Sequence, residues 1–194
     1  MKVTIFYDYI CPFCYIGSKR ILSLAEEFQL NIEWRGIEIH PKYPSEGKKS
    51  KATPRLKHIT RTLYDIAKED NTEIKLPGFV TNSRLCLEAA EFAKTRDKFL
   101  DFHNAAYDAY LNKRENIAQL ETLINVGKRA GLEVSELERS LRNREMRSVI
   151  DENKKLADEN VVLGVPTIYF NNFRVHGVQS TESYREIIKK HMLN

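Results

Sequence analysis

Two cysteines with two residues between them, Cys11 and Cys14, lie in the stretch "YDYICPFCYIGSKR", residues 7–20, and the chain holds one more, Cys86. A Cys-x-x-Cys pair supports three readings: a redox centre, half of a metal site, or two small core residues. A tetrahedral zinc site needs four ligands. Only Cys86 and five scattered histidines are available to complete one, with no second Cys-x-x-Cys and no His-x3-His. A four-cysteine iron–sulfur cluster cannot be built from three cysteines. Spacing favours redox chemistry, with the metal site and inert core cysteines as the alternatives.

Pro12 fits the first turn of a helix, where its missing N–H costs nothing. Cys11 then stands at a helix N-terminus, facing unpaired N–H groups and the positive end of the macrodipole. Both favour a thiolate, which is the nucleophile. Cys14 follows about one turn later on the same side, at a spacing compatible with disulfide geometry. In this scheme Cys11 is the exposed, reactive thiol. Cys14 is buried and resolves the mixed disulfide.

The elements that must hold this pair can be read from periodicity. Lys2 to Asp8 alternates and is rich in Val, Ile, Phe and Tyr, which predicts a strand. Ile21, Leu24, Ala25 and Phe28 form the apolar stripe of the helix behind the cysteines. Asn31 to Ile39 predicts a second strand, giving a βαβ unit. His40 to Pro54 is a loop with three prolines and four lysines. From there to about Asn160 the pattern is helical: Leu56/Ile59/Leu63/Ile66, then Leu85/Ala89/Phe92/Ala93, then Phe99/Phe102/Ala106/Tyr110. Leu120/Leu123/Ile124/Gly127 follow, with Gly131 as a stop, and Leu137 to Leu156 complete the run. "GVPTIYF" (164–170), Asn171-Asn172 and "FRVHG" (173–177) predict a hairpin, with a last helix from about Thr181. The order βαβ, helical block, ββα predicts an α/β sheet domain carrying an inserted helical subdomain.

Composition narrows the function. Of 194 residues, 30% are charged and the net charge is +4, with no basic–aromatic repeat, which speaks against a nucleic-acid partner. No span approaches the ~18 apolar residues of a membrane helix. The apolar run at the start breaks at Asp8 and is too short for a secretory signal, so the expected setting is cytoplasmic. There, structural disulfides are rare and a Cys-x-x-Cys points to redox or metal chemistry.

"CPFCYIG" after a first strand, "GVPT" before a late one, and helices between them resemble the DsbA-like branch of the thioredoxin superfamily. Within it the chain is most similar to the FrnE-like subgroup, whose motif usually reads CPWCYIG with an aspartate three residues earlier, here Asp8. "EIHPKYPSEG" and "TNSRLCLEAAEFAK" are also similar to that subgroup. The resemblance implies a thioredoxin fold from residues 1–40 and 161–194, with 41–160 as an inserted all-helical subdomain. It implies thiol–disulfide exchange through a redox-active Cys11–Cys14 disulfide, with no bound cofactor and no metal. The expected partners are protein dithiols or disulfides, or glutathione-like thiols. It also implies a cis Val165–Pro166 bond beside the cysteines, aiming the Val165 backbone at a substrate peptide; cis is cheap only before proline.

Phe13 departs from the strong oxidants of the family, which carry a histidine there. Oxidising power comes from stabilising the reduced form, so this chain is expected to be the milder redox partner, with Phe13 as an apolar lip. Asp8 is either a proton acceptor for Cys14 or an end to the strand and cap of the helix. Cys86 is expected to be a buried small hydrophobe. His103 and His191 are expected to be satisfied packing residues. Lys42 to Lys57 reads as a solvated loop, with the edge of a substrate groove as the alternative. Two rival functions remain: a glutathione-dependent isomerase or transferase of the kappa or hydroxychromene-carboxylate type, which generally lacks the second cysteine, and a non-enzymatic redox-responsive binding protein.

Overall fold

The computed structural model describes residues 1–192. In chain order it contains β1 (Lys2–Tyr7), α1 (Pro12–Ala25), β2 (Asn31–Gly36), β3 (Lys48–Lys49), α2 (Pro54–Glu69), β4 (Phe79–Val80), α3 (Arg84–Lys94) and α4 (Phe99–Tyr107). A π-helical turn at Asp108–Asn112 precedes α5 (Leu120–Arg129), α6 (Val134–Asn143), α7 (Arg147–Glu159), β5 (Thr167–Phe170), β6 (Phe173–His176) and α8 (Thr181–Met192). The chain divides into two compact units, Met1–Ile39 with Asn153 onward, and His40–Glu152. No helix among the described residues is long and apolar enough to cross a membrane.

The first unit is a four-stranded sheet in the order β2-β1-β5-β6. β1 is central, parallel to β2 and antiparallel to β5. Side chains alternate across a strand, so the two faces of β1 bury different sets. Phe6 packs with Ile37 and Ala157, joined by Leu156, Val162, Val165 and Tyr169. Val3, Ile5 and Tyr7 are buried on the other face, and α1 and α8 pack together with Ile16, Ile21, Leu24, Tyr184 and Ile188 fully buried. β5 and β6 form the expected hairpin, with Phe170 opposite Phe173 across Asn171–Asn172, and Asn171 takes a left-handed conformation at φ 51°.

Several expectations need revision. β2 stops at Gly36 rather than Ile39, because the Ile39 N–H is taken by a side chain rather than a neighbouring strand. β5 begins at Thr167 rather than Gly164, since Pro166 has no N–H to give a ladder. The last turns of α7 go with the sheet, placing the unit boundary at 152/153 rather than 160/161. Asn153 Nδ2 donates to Gly36 O at 3.3 Å, and Ala157 packs on Phe6 and Ile37.

The second unit is helical except for the two-residue strands β3 and β4, which pair antiparallel and were not foreseen. α3 is its core: Cys86 through Ala93 are all buried. The buried Glu88 is held by Arg84 Nε at 2.9 Å and by Arg144 Nε and Nη2 at 2.7 Å each. α5 and α6 approach so closely that a Cβ on Gly127 would collide with the Leu137 side chain. α2 buries only Leu63 and Ala67, while Leu56 and Ile59 stay exposed, so its expected stripe is covered over its C-terminal half alone. The lysines from Lys42 to Lys57 are exposed.

Candidate active site

Cys11 is the N-cap of α1, with extended backbone (φ −97°, ψ 107°), and Pro12 opens the helix. The β1–α1 loop is tight: the Cys11 N–H donates to Asp8 O at 3.1 Å, and the Cys14 N–H to Cys11 O at 3.1 Å. Cys14 therefore stands one turn inside α1, behind Cys11. Both are free thiols. Cys11 Sγ donates to Val165 O at 3.5 Å, and the Val165–Pro166 peptide is cis.

Cys11 is more enclosed than expected, at 6% exposure, because the segment carrying Val165 lies against it; Cys14 is deeper still at 1%. Burial pushes the Cys14 thiol well above its ordinary pKa. Its hydrogen bond to Cys11 and the charges of Cys11 and Asp8 push the same way, while a backbone hydrogen bond with Asp8 opposes them. The inner sulfur is thus held as a thiol until chemistry at Cys11 changes its surroundings.

Asp8 is completely buried. Its Oδ2 accepts from the Ile39 N–H at 2.8 Å and its Oδ1 from the Ile10 N–H at 3.3 Å. The carboxylate braces the cysteine loop against the segment after β2, satisfying backbone donors that burial would otherwise orphan.

The segment Gly164–Val165–Pro166 is pinned from several sides. The Thr167 hydroxyl donates to Gly164 O at 2.7 Å and lies 3.0 Å from His176 Nδ1. Its one proton is thereby used, so the imidazole donates at Nδ1. The Gly177 N–H donates to Pro166 O at 2.9 Å. The Pro166 ring lies over α1, where a Cβ on Gly17 would meet its Cγ at 3.7 Å. On the inner side, the buried Arg20 donates from Nη1 to Gln179 O at 2.7 Å. The Tyr184 hydroxyl accepts from the Gln179 N–H at 3.1 Å and donates to Gly177 O at 3.5 Å. Burial raises the Tyr184 pKa to about 12, so it stays a neutral donor.

The structure brings Cys11, Cys14, Asp8, Pro12, Val165 and Pro166 together, with Phe13 half-buried at the start of α1. Cys86 is buried in α3 of the other unit. Arg20, Thr167, His176 and Tyr184 were not foreseen as parts of the site. Thr167 stands inside the motif "GVPT"; nothing local marked the other three.

The DSBA-like thioredoxin domain family matches residues 2–189. A probable DsbA oxidoreductase from Streptomyces coelicolor superposes with a TM-score of 0.87 at 18% identity, over 99% of this chain and 90% of that one. A 2-hydroxychromene-2-carboxylate isomerase gives 0.79 at 20% identity, over 98% and 94%. The cytosolic disulfide reductase DsbM from Pseudomonas aeruginosa, solved with GSH, gives 0.73 at 15% identity over the whole of both chains. At such identities the neighbours establish the fold, a thioredoxin sheet with a helical insertion. The match across nearly the whole chain establishes more: this protein belongs to the DSBA-like thioredoxin domain family.

Proposed function

We propose that this protein is a thiol–disulfide oxidoreductase working through Cys11 and Cys14, within the FrnE-like subgroup and in the cytoplasm, the setting named for DsbM. The observation that carries the reading is the placing of Cys11 Sγ at the N-terminus of α1, 3.5 Å from the carbonyl before Pro166, with a buried second thiol one turn behind. Cys11 attacks one sulfur of a substrate disulfide. The substrate S–S bond breaks, one substrate thiolate leaves, and a mixed disulfide forms. Cys14 loses its proton and attacks the Cys11 sulfur, and the second substrate thiol is released. The substrate gains two electrons and two protons, and the protein holds a Cys11–Cys14 disulfide. A protein dithiol or a glutathione-like thiol restores the reduced pair; with the opposite poise the same steps run in reverse.

Cys14 favours this reading over glutathione-dependent isomerisation, which needs no resolving thiol. Titration against mixtures of reduced and oxidised glutathione tests it. Cys11 and Cys14 are expected to lose their thiols together in one two-electron transition, leaving Cys86 reduced, and the protein to turn over a model disulfide. Glutathione capping of Cys11 with no internal disulfide would contradict the reading.

A further inference from the structure

Between Lys48 and Arg61 lie six cations and no carboxylate: Lys48, Lys49, Lys51, Arg55, Lys57 and Arg61. The net charge of the whole chain is +4, so the rest of the molecule is net negative and its positive excess sits in this one segment. Among the described residues none of the six pairs with a carboxylate. Cations on the other helices do pair: Arg142 meets Glu138 at 2.6 Å and Lys154 meets Asp158, each one turn apart. A charge run alone is a solvated face; here it is joined to apolar side chains that the fold leaves open.

The segment is built, not loose. Lys48 and Lys49 form β3, the Ser50 N–H donates to Gly78 O at 3.0 Å, and the Thr53 hydroxyl caps α2 by accepting from the Leu56 N–H at 3.1 Å. The apolar stripe of α2 recurs at Leu56, Ile59, Leu63 and Ala67, one face of a helix. Leu63 and Ala67 are buried, whereas Leu56 and Ile59 are 38% and 37% exposed. Every residue from Lys48 to Ile59 is exposed, so the first turns of α2 stand clear on all sides. At about 100° per residue, Arg55 and Lys57 flank Leu56 on its two sides. Apolar residues in the middle with cations on both flanks make an interfacial helix.

We propose that the β3–α2 segment docks on an anionic lipid surface, with Leu56 and Ile59 entering the headgroup boundary and the six cations facing lipid phosphates. Charge decides the occupant: an acidic surface must supply the counter-charge that the chain does not. Lysine outnumbers arginine four to two in the segment. Lysine is depleted at protein interfaces, and a cluster of four to eight Lys and Arg on an amphipathic helix suits anionic lipid. The surface is independent of the cysteine chemistry.

Co-sedimentation with vesicles tests this, using phosphatidylcholine alone and with about a quarter phosphatidylglycerol. Wild type is expected to bind only the anionic vesicles and to come off in about 0.5 M salt. Each cation near such a surface contributes about five-fold, so Lys51→Glu/Lys57→Glu is expected to lose at least about twenty-five-fold. Leu56→Ser/Ile59→Ser is expected to lose about ten-fold. Lys189→Glu/Lys190→Glu, the same change in net charge on α8, is expected to keep binding. Circular dichroism shows each variant folded. Equal binding to both vesicles, or equal loss in the Lys189/Lys190 variant, would overturn the proposal. So would tighter binding to a short DNA duplex than to the vesicles, which would assign the cations to nucleic acid. A wild-type dimer broken by Leu56→Ser/Ile59→Ser would assign the stripe to a second copy of this chain. Loss of glutathione turnover in Lys51→Glu/Lys57→Glu with vesicle binding intact would assign the lysines to a substrate groove; either result would overturn the proposal.

Discussion

The sulfur of Cys11 meets a backbone carbonyl and a helix N-terminus, and the residue after Pro12 decides what else it meets. Phe13 brings no polar group to it. In Phe13→His a donor is added with Pro12 and the start of α1 in place. A hydrogen bond to an ionised group is worth roughly 1.5–3 kcal/mol, and for a two-electron couple about 1.4 kcal/mol equals 30 mV. The variant is expected to be the stronger oxidant by about 30 to 60 mV in a glutathione titration; an unchanged or more reducing potential would show that position 13 does not set the poise. Asp8 presents the opposite situation, since both of its oxygens already accept backbone N–H groups. A brace and a proton acceptor make different predictions. Loss of a general base costs roughly 10²–10⁴-fold in rate, whereas an orphaned buried N–H costs about 1–3 kcal/mol of stability. Asp8→Ala is expected to lower stability to urea by that amount per orphaned donor, and Asp8→Asn to resolve mixed disulfides at nearly the wild-type rate. A hundred-fold slower resolution in a stable Asp8→Asn protein would make the carboxylate the proton acceptor after all.

Within the helical unit, α4 carries a titration that the redox chemistry does not use. His103 is buried between the rings of Phe99 and Tyr107, at 5.1 and 4.9 Å. Burial, and then the charge of Lys94, lower its pKa to about 3. Between that value and the ordinary value near 6.5 the unfolded chain binds a proton that the folded chain refuses. Its contribution to stability is therefore complete above about pH 6.5 and is lost as the pH falls toward 3. Urea unfolding at pH 7 and pH 4.5 is expected to show stability falling by about 2–3 kcal/mol from this group alone. His103→Leu is expected to remove that part of the slope, whatever its stability at pH 7. An unaltered slope in the variant would assign the acid sensitivity to other groups. His191 contrasts with it, and corrects the expectation of a satisfied packing residue: it stacks on Phe173 at 4.2 Å, but its buried Nε2 has no hydrogen-bond partner among the described residues.

Across the chain, what was legible in the residues is what local patterns encode. Alternation in Lys2–Tyr7, the stripe behind Cys11, and the paired asparagines of the last hairpin announce their elements because each signal lies within one element. The cysteines, Asp8 and Pro166, which the fold brings together, could be singled out for the same reason: short motifs hold them. Long-range packing was not legible. The seam at 152/153 lies inside one continuous helix, whose periodicity carries no boundary mark. β3 and β4 are two residues each, too short for alternation to register. The enclosure of Cys11 comes from Val165, 154 residues away, and Arg20 meets Gln179 across 159. The account as a whole rests on an order of events between two sulfurs, and trapping tests that order directly. Cys14→Ser and Cys11→Ser proteins are incubated with a peptide disulfide, quenched with acid and weighed intact by mass spectrometry. Cys14→Ser, which lacks the resolving thiol, is expected to accumulate a mixed disulfide mapped to Cys11, and Cys11→Ser to accumulate none; equal trapping by the two variants, or an adduct mapped to Cys86, would contradict the account.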